Sequence, residues 1–295
     1  MSTSIRTVCV LGAGTMGQGI AQVTASAGLT TRLFDAAAGK AEQAIAAIGA
    51  QLDKLVGKGK ITQPQRDQTM ASLSPASDVA SACRDVDLVI ESAPENMELK
   101  VKLLGEVATA APVGALLGSN TSSLSLTELG TRIKAADRVV GLHFFNPPPV
   151  MELLEVVRGI GTSDASVERA LAFAAAIGKT PIVVRDFPGF ASSRLGVVLG
   201  AEAIRMLESG VASAVDIDRA MELGYRHPMG PLKLTDLVGL DVRLAILDHL
   251  HKEIGEQFRA PALLRQMVRA GKLGKKAGEG FYVWKDGVAQ PGPKR

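Results

Sequence analysis

Histidine is scarce in this chain, with four among 295 residues. One of them, His143, stands in "GLHFFNPPPVMELLEVVRG" (residues 141–159), between an apolar run and a proline break. Two glutamates follow, Glu152 and Glu155. "MELLEVV" has the composition of a strand, and alternation of side chains puts these two carboxylates on opposite faces. Glu155 shares its face with Leu153 and Val157, so it is the one expected to be buried. A buried carboxylate needs a partner, and a histidine at a strand end is the obvious candidate. Such a pair orients the imidazole and stabilises its protonated form, giving a proton acceptor suited to neutral pH. A structural histidine satisfied by backbone is the other reading of the same residues. A second polar cluster, Asn120, Thr121, Ser122 and Ser123 in "GSNTSSLS", also follows an apolar run.

The N-terminal "LGAGTMGQG" supplies Gly12, Gly14 and Gly17 in G-x-G-x-x-G spacing, with Thr15 and Met16 opening the helix that follows. The first glycine permits a tight turn, the second lets backbone approach a pyrophosphate, and the third lets helix and strand pack closely. The pyrophosphate then rests on free N–H groups at the positive end of the helix dipole. Asp35 closes the next strand about 20 residues on, where a carboxylate accepts from the adenosine ribose hydroxyls. It would repel a 2′-phosphate, and the "AAAG" after it offers no arginine to receive one. NAD is therefore expected rather than NADP. A proton acceptor beside a nicotinamide suits oxidation of a secondary alcohol, the proton leaving to histidine as hydride leaves to the cofactor.

The elements that must position these groups alternate. "TVCVLGAG", "TTRLFD", "DLVIESA", "GALLGSN" and "RVVGLHFF" read as strands. Between them lie the helical "MGQGIAQVTASAG", a long helix over "AAAGKAEQAIAAIGAQLDKLVGKGK", "NMELKVKLLGEVATAA" and "SLTELGTRI". Ser125 and Glu128 have capping-box spacing for the last of these. The pattern predicts an α/β, Rossmann-type, doubly wound and mostly parallel sheet. After "VVRDFPGFASS" helical segments dominate, which predicts a smaller all-helical C-terminal domain. The division is placed at residues 1–186, an NAD-binding domain, and 187–295, a substrate and dimerisation domain.

Hydrophobic residues make up 46% of the chain and charged ones 21%, which suits a sizeable core. A net charge of +3 is too small an excess to suggest nucleic acid or a membrane surface, though it suits an anionic substrate. The two cysteines, Cys9 and Cys83, form no motif, and Cys9 reads as a buried reduced thiol of a cytosolic protein. No apolar run is long enough to span a membrane, and no room for a leader is visible before the first strand. The remaining histidines have no companions at metal-ligand spacing, so no metal is expected.

Taken together, "SNTSSLSL", "GLHFFNPPPVMELLEVV", "DFPGF" and "GKKAGEGFYVW", with the glycine motif before them, resemble the L-3-hydroxyacyl-CoA dehydrogenases, the bacterial 3-hydroxybutyryl-CoA group above all. The resemblance runs over nearly the whole chain in the family's order. It implies that His143 is the catalytic base, Glu155 its dyad partner, and Ser122 a contact of the substrate oxygen. It implies further that Glu95, Lys100 and Asn120 hold the nicotinamide end of NAD, and that Asn146 and Lys276 are cofactor contacts. One position departs: where the family commonly has asparagine after P-G-F-x-x, this chain has Ser193, which is left to serve the thioester carbonyl with a shorter reach. The substrate implied is an acyl-CoA thioester. Lys54 and Lys58 would share a face if the long helix persists, and the resemblance places that helix beside the CoA tail. Apolar stretches such as "LGVVLGAEAIRML" suggest a subunit interface, and with the resemblance a homodimer is expected. A non-catalytic NAD-binding protein on the same scaffold, and an NADPH-preferring reductase, are the rival functions. The intact Ser122, His143 and Glu155 set stands against the first, and Asp35 against the second.

Overall fold

A computed structural model describes residues 4–292. Residues 1–3, on which the expectation about a leader partly rests, lie outside the described residues. The chain forms two compact units, Met1–Phe187 and Pro188–Arg295.

The first unit is built on an eight-stranded sheet. Its elements are β1 (Thr7–Leu11), α1 (Thr15–Ser26), β2 (Thr30–Phe34), α2 (Lys40–Gly57), α3 (Gln63–Ala71), β3 (Leu73–Pro75), α4 (Val79–Cys83), β4 (Leu88–Glu91) and α5 (Met97–Ala110). They continue with β5 (Leu116–Ser119), α6 (Leu126–Arg132), β6 (Val139–Phe144), β7 (Leu153–Arg158), α7 (Asp164–Ala176) and β8 (Thr180–Arg185). The strand order is β3-β2-β1-β4-β5-β6-β7-β8. Every pairing is parallel except β6 with β7. With helices on both faces, central strands bury both sides, so β4, β5 and β6 are buried at every position. Their core continues through Ile20 of α1, Ile48 and Leu52 of α2 and Phe173 of α7. Cys9 and Cys83 are both buried and free.

The long helix expected over residues 36–60 is shorter. Gly39 takes a left-handed φ of 74° before α2, and Lys58 already stands outside it as the C-cap. The helix α3 that follows has a reciprocal cap: Gln65 N–H donates to Thr62 Oγ1 and Thr62 N–H to Gln65 Oε1, with proline in the first turn. Ser125 caps α6, accepting from Glu128 N–H, while the Glu128 carboxylate pairs with Arg132, so only one half of the expected capping box is seen.

Helices dominate the second unit: α8 (Ser192–Glu208), α9 (Ala214–Arg219), α10 (Pro231–Val238), α11 (Leu240–Glu253) and α12 (Ala262–Arg269). Gly239, at φ 104°, breaks α10 from α11. One hairpin is added, β9 (Tyr282–Lys285) against β10 (Val288–Pro291). It is pinned by Asp236 of α10, fully buried, which accepts from Phe281 N–H, Tyr282 N–H and Trp284 Nε1–H. Burial pushes the Asp236 carboxyl above the usual range, against the pull of those donors.

Candidate active site

Ligands bind doubly wound sheets at the carboxyl ends of the strands, where the strand order reverses. Here that point lies between β1 and β4, and a cleft of about 630 Å³ opens there. The glycine turn, Asp35, Ser92, Glu95, Asn120 and Ser122 all line it. The three motif glycines differ in what they do. Gly12 has φ 99°, and a Cβ there would meet Ser92 O at 2.6 Å. A Cβ on Gly17 would stand 1.7 Å from Gly12 O, so helix and turn close only on glycine. Gly14 is different: nothing lies within 4 Å of its missing Cβ. Thr15 and Met16, the first helical residues, also line the cleft. Asp35 accepts from Ala13 N–H at 2.7 Å and Ala37 N–H at 2.9 Å, which fixes its carboxylate at the rim.

The antiparallel pairing of β6 with β7 sets His143 directly opposite Glu155. Opposed residues of an antiparallel pair share a face. His143 Nδ1 and Glu155 Oε2 lie 2.7 Å apart. Glu155 is fully buried and His143 is 7% exposed, while Glu152 lies at the surface. If Glu155 is ionised its carboxylate can only accept, and the proton of this bond then belongs to Nδ1. The Phe145 ring, 4.6 Å away centre to centre, flanks the imidazole.

Asn120 joins the two neighbourhoods. Its Oδ1 accepts from Phe144 N–H at 2.9 Å, beside His143, and its Nδ2 approaches Ser92 Oγ at 3.4 Å. Glu95 holds the next turn of chain, accepting from Thr121 Oγ1 (2.6 Å), Ser122 N–H (2.9 Å) and Ser123 N–H (3.1 Å). Burial raises the Glu95 carboxyl, but these donors and the Lys100 charge outweigh it and hold it below the ordinary range. Glu95 thus stays ionised and fixes the loop that presents Ser122.

Lys100 lies behind this loop, 1% exposed, and is not among the residues that line the cleft. Its ammonium meets Glu91 Oε1 at 2.6 Å, Ala93 O at 3.2 Å and Glu95 Oε2 at 3.4 Å. Glu91, wholly buried at the end of β4, also accepts from Ser119 Oγ at 2.6 Å and Ala93 N–H at 2.6 Å. Glu91 and Ser119 were not singled out in the sequence, although a glutamate closing the apolar run "DLVIE" was a signal that a buried cation must follow. Asn146 is exposed just beyond β6. Lys54 and Lys58 are exposed at the end of α2, with Lys58 N–H donating to Lys54 O. In the second unit, Lys276 pairs with Asp241 at 2.6 Å, and Ser193 is half-buried in the first turn of α8.

Residues 7–187 match the family model described as 3-hydroxyacyl-CoA dehydrogenase, NAD binding domain, and residues 189–284 match the C-terminal domain of the same family. The chain belongs to the 3-hydroxyacyl-CoA dehydrogenase family. A probable 3-hydroxybutyryl-CoA dehydrogenase of Bacillus subtilis is 41% identical over 283 residues, which is 96% of this chain and 98% of that one. The 3-hydroxyadipyl-CoA dehydrogenase of Escherichia coli is 42% identical over 287 residues, 97% of this chain and 60% of the relative. The crystal structure of (S)-3-hydroxybutyryl-CoA dehydrogenase from Ralstonia eutropha superimposes with a TM-score of 0.92 at 40% identity, covering 96% of this chain and 100% of that one.

As a member of the 3-hydroxyacyl-CoA dehydrogenase family the protein is an oxidoreductase, and its cofactor is NAD. The cleft fits that cofactor. Gly12 and Gly17 form a turn that no side chain could enter, and the open space over Gly14 is where backbone can meet a pyrophosphate. A methyl group at Gly14 would meet no protein atom within 4 Å, yet it would occupy the space through which this backbone would approach a pyrophosphate. Gly14→Ala is therefore expected to melt like the parent and to bind NADH about tenfold more weakly, about 1.4 kcal/mol. Fluorescence titration beside a thermal melt checks this, and unchanged affinity would remove Gly14 from the site.

Proposed function

We propose that the protein interconverts (3S)-3-hydroxyacyl-CoA, in the first instance 3-hydroxybutyryl-CoA, with the corresponding 3-oxoacyl-CoA. The observation that carries this reading is the buried His143–Glu155 pair at 2.7 Å in register across β6 and β7. NAD, when bound, accepts the hydride from the carbinol carbon. His143 Nε2 takes the hydroxyl proton in oxidation and returns it in reduction. Glu155 holds the imidazole in the required tautomer and offsets the charge it gains. Ser122 donates to the reacting oxygen from the loop clamped by Glu95. Glu95, Asn120 and the glycine turn bind the cofactor, with Lys100 supporting Glu95. Asn146 and Lys276 are further cofactor contacts, supported by the resemblance alone. Ser193 is assigned to the thioester carbonyl, and Lys54 and Lys58 to the phosphates of CoA. These last roles rest on residue type and motif position.

The second unit, as the substrate and dimerisation domain, is proposed to pair two copies. Leu195 of α8, Leu234 and Leu237 of α10 and Val242 of α11 are exposed apolar residues that a partner would cover. Among the described residues no helix is long and apolar enough to cross a membrane. The two buried free thiols support a reducing compartment such as the cytosol.

Oxidation of NADH with acetoacetyl-CoA, run beside NADPH and beside free acetoacetate, tests the reading. NADH with the thioester is expected to react at least about 100-fold faster than either alternative, since Asp35 repels a 2′-phosphate and free acetoacetate lacks the CoA contacts. Preference for NADPH would overturn the role of Asp35 and leave the dyad standing. Inactivity in protein that still binds NADH would overturn the catalytic reading.

A further inference from the structure

Lys179 takes no part in the chemistry above, yet it is tied to the segment that follows His143. It stands half-buried in the turn between α7 and β8. Its ammonium donates to Pro148 O and to Met151 O, both at 2.7 Å. Both acceptors belong to residues 145–152, the connection from β6 to β7. Burial lowers the Lys179 pKa, while the nearby Glu152 carboxylate pulls the other way. Bonds from a charged donor are about twice as strong as those between neutral groups.

The connection has little else to hold it. Pro147, Pro148 and Pro149 have no N–H to donate. The two donors that follow, Val150 N–H and Met151 N–H, both turn back to Pro147 O. Among the described residues, no side chain other than Lys179 hydrogen-bonds to residues 145–152. Of these residues only Pro148 is buried, packed so closely on α1 that a Cβ at Gly19 would stand 2.7 Å from its Cδ. Beside it lies a cleft of about 500 Å³, lined in part by Gln22, Val23, Pro149, Ile177 and Lys179, so packing is open on that side. At its β6 end the chain is tied to the dinucleotide cleft: Phe144 N–H donates to Asn120 Oδ1, and Asn120 lines that cleft. Asn146 follows two residues on, exposed, between this tie and the Lys179 clamp.

We propose that Lys179 is a positioning residue for hydride transfer, clamping the β6–β7 connection so that Asn146 is held against the cofactor. This rests on the dehydrogenase reading given above, and on Asn146 as a cofactor contact in particular. Without the clamp, Pro148 O and Met151 O adjoin an open cleft where water can replace the ammonium, so the fold is spared. The strand pairing itself still sets His143 opposite Glu155. What is lost is the placement of Asn146, and misplacement by about 1 Å near a reacting centre lowers a rate by up to about 10²-fold.

The test measures kcat, KM for acetoacetyl-CoA, and NADH affinity by fluorescence titration in the parent, Lys179→Met, Asn146→Ala and the double variant. Lys179→Met is expected to lower kcat about tenfold and to weaken NADH binding about threefold. KM for the thioester is expected to stay within about twofold. The double variant is expected to match Asn146→Ala alone, because a residue that acts only through another adds nothing once that one is gone. If Lys179→Met does not fold, Lys179→Gln, which keeps a donor for one carbonyl, takes its place in the same cycle. Parent-like kcat and NADH affinity in the lysine variant overturn the proposal, as do losses that multiply in the double variant. A loss confined to KM for the thioester overturns it too, by placing the connection against the substrate instead. If Asn146→Ala binds NADH and turns over like the parent, Asn146 leaves the cofactor site and the proposal falls with it, while the dyad stands. A parent inactive on acetoacetyl-CoA sinks the dehydrogenase reading, whereas an active parent with an unaffected lysine variant sinks only the proposal.

Discussion

Replacing His143 by asparagine is expected to lower kcat for acetoacetyl-CoA reduction by 10²–10⁴, about 2.7–5.5 kcal/mol of transition-state stabilisation. Affinity for NADH is expected to stay within about twofold, because His143 is absent from the lining of the dinucleotide cleft. Asparagine can still donate to Glu155, so the buried carboxylate keeps a partner and the fold is spared. It cannot accept and return a proton, and that difference is what the rate reads. KM for the thioester is expected to change little, since a base active only in the transition state contributes to kcat rather than to binding. A kcat within tenfold of the parent would move the base elsewhere. Glu155→Gln is the companion measurement. It keeps a hydrogen bond to Nδ1 but removes the charge opposite the imidazolium, so a smaller loss is expected.

The pairing of His143 with Glu155 was half legible: residue types left a backbone-satisfied histidine equally open, and the family resemblance decided between the two. The proline break fixed where the strand must end, the period of two selected Glu155 over Glu152, and burial then demanded a partner. What alternation alone could not provide was the register, which pairs His143 with Glu155 rather than with a neighbour. That register is set by the length of the β6–β7 connection and the packing of both faces. The glycine turn was equally legible, since each glycine answers a steric demand within a few residues of itself. Both ends of α2 were misjudged because alanine before it and lysine after it favour helix, whereas left-handed glycines at 39 and 59 flank it. The cap of α3 was missed, although "TQPQ" carries the spacing for it.

Lys100 shows how a motif can identify a residue without revealing its task. The resemblance makes it a cofactor contact, whereas the structure gives its three protons three acceptors, one of them the buried Glu91. The two roles predict different losses. If Lys100 neutralises Glu91, then Lys100→Met strands a carboxylate that retains only Ser119 Oγ–H and Ala93 N–H. Breaking such a buried pair costs about 3–5 kcal/mol, which for a unit of this size lowers Tm by roughly 10 °C. Pairing the change with Glu91→Gln removes the stranded charge, so the double variant is expected to recover most of the loss, a coupling visible in a double-mutant cycle. NADH affinity would then fall in the single variant and return in the double one, as the Ser92–Glu95 segment is re-anchored. If Lys100 instead touches the cofactor directly, both variants bind NADH weakly and Tm without ligand barely moves. Equal melting temperatures for the single and double variants would exclude the neutralising role. The burial favours the neutralising role: a lysine side chain with 1% of its surface exposed is already paired with the charge beneath it.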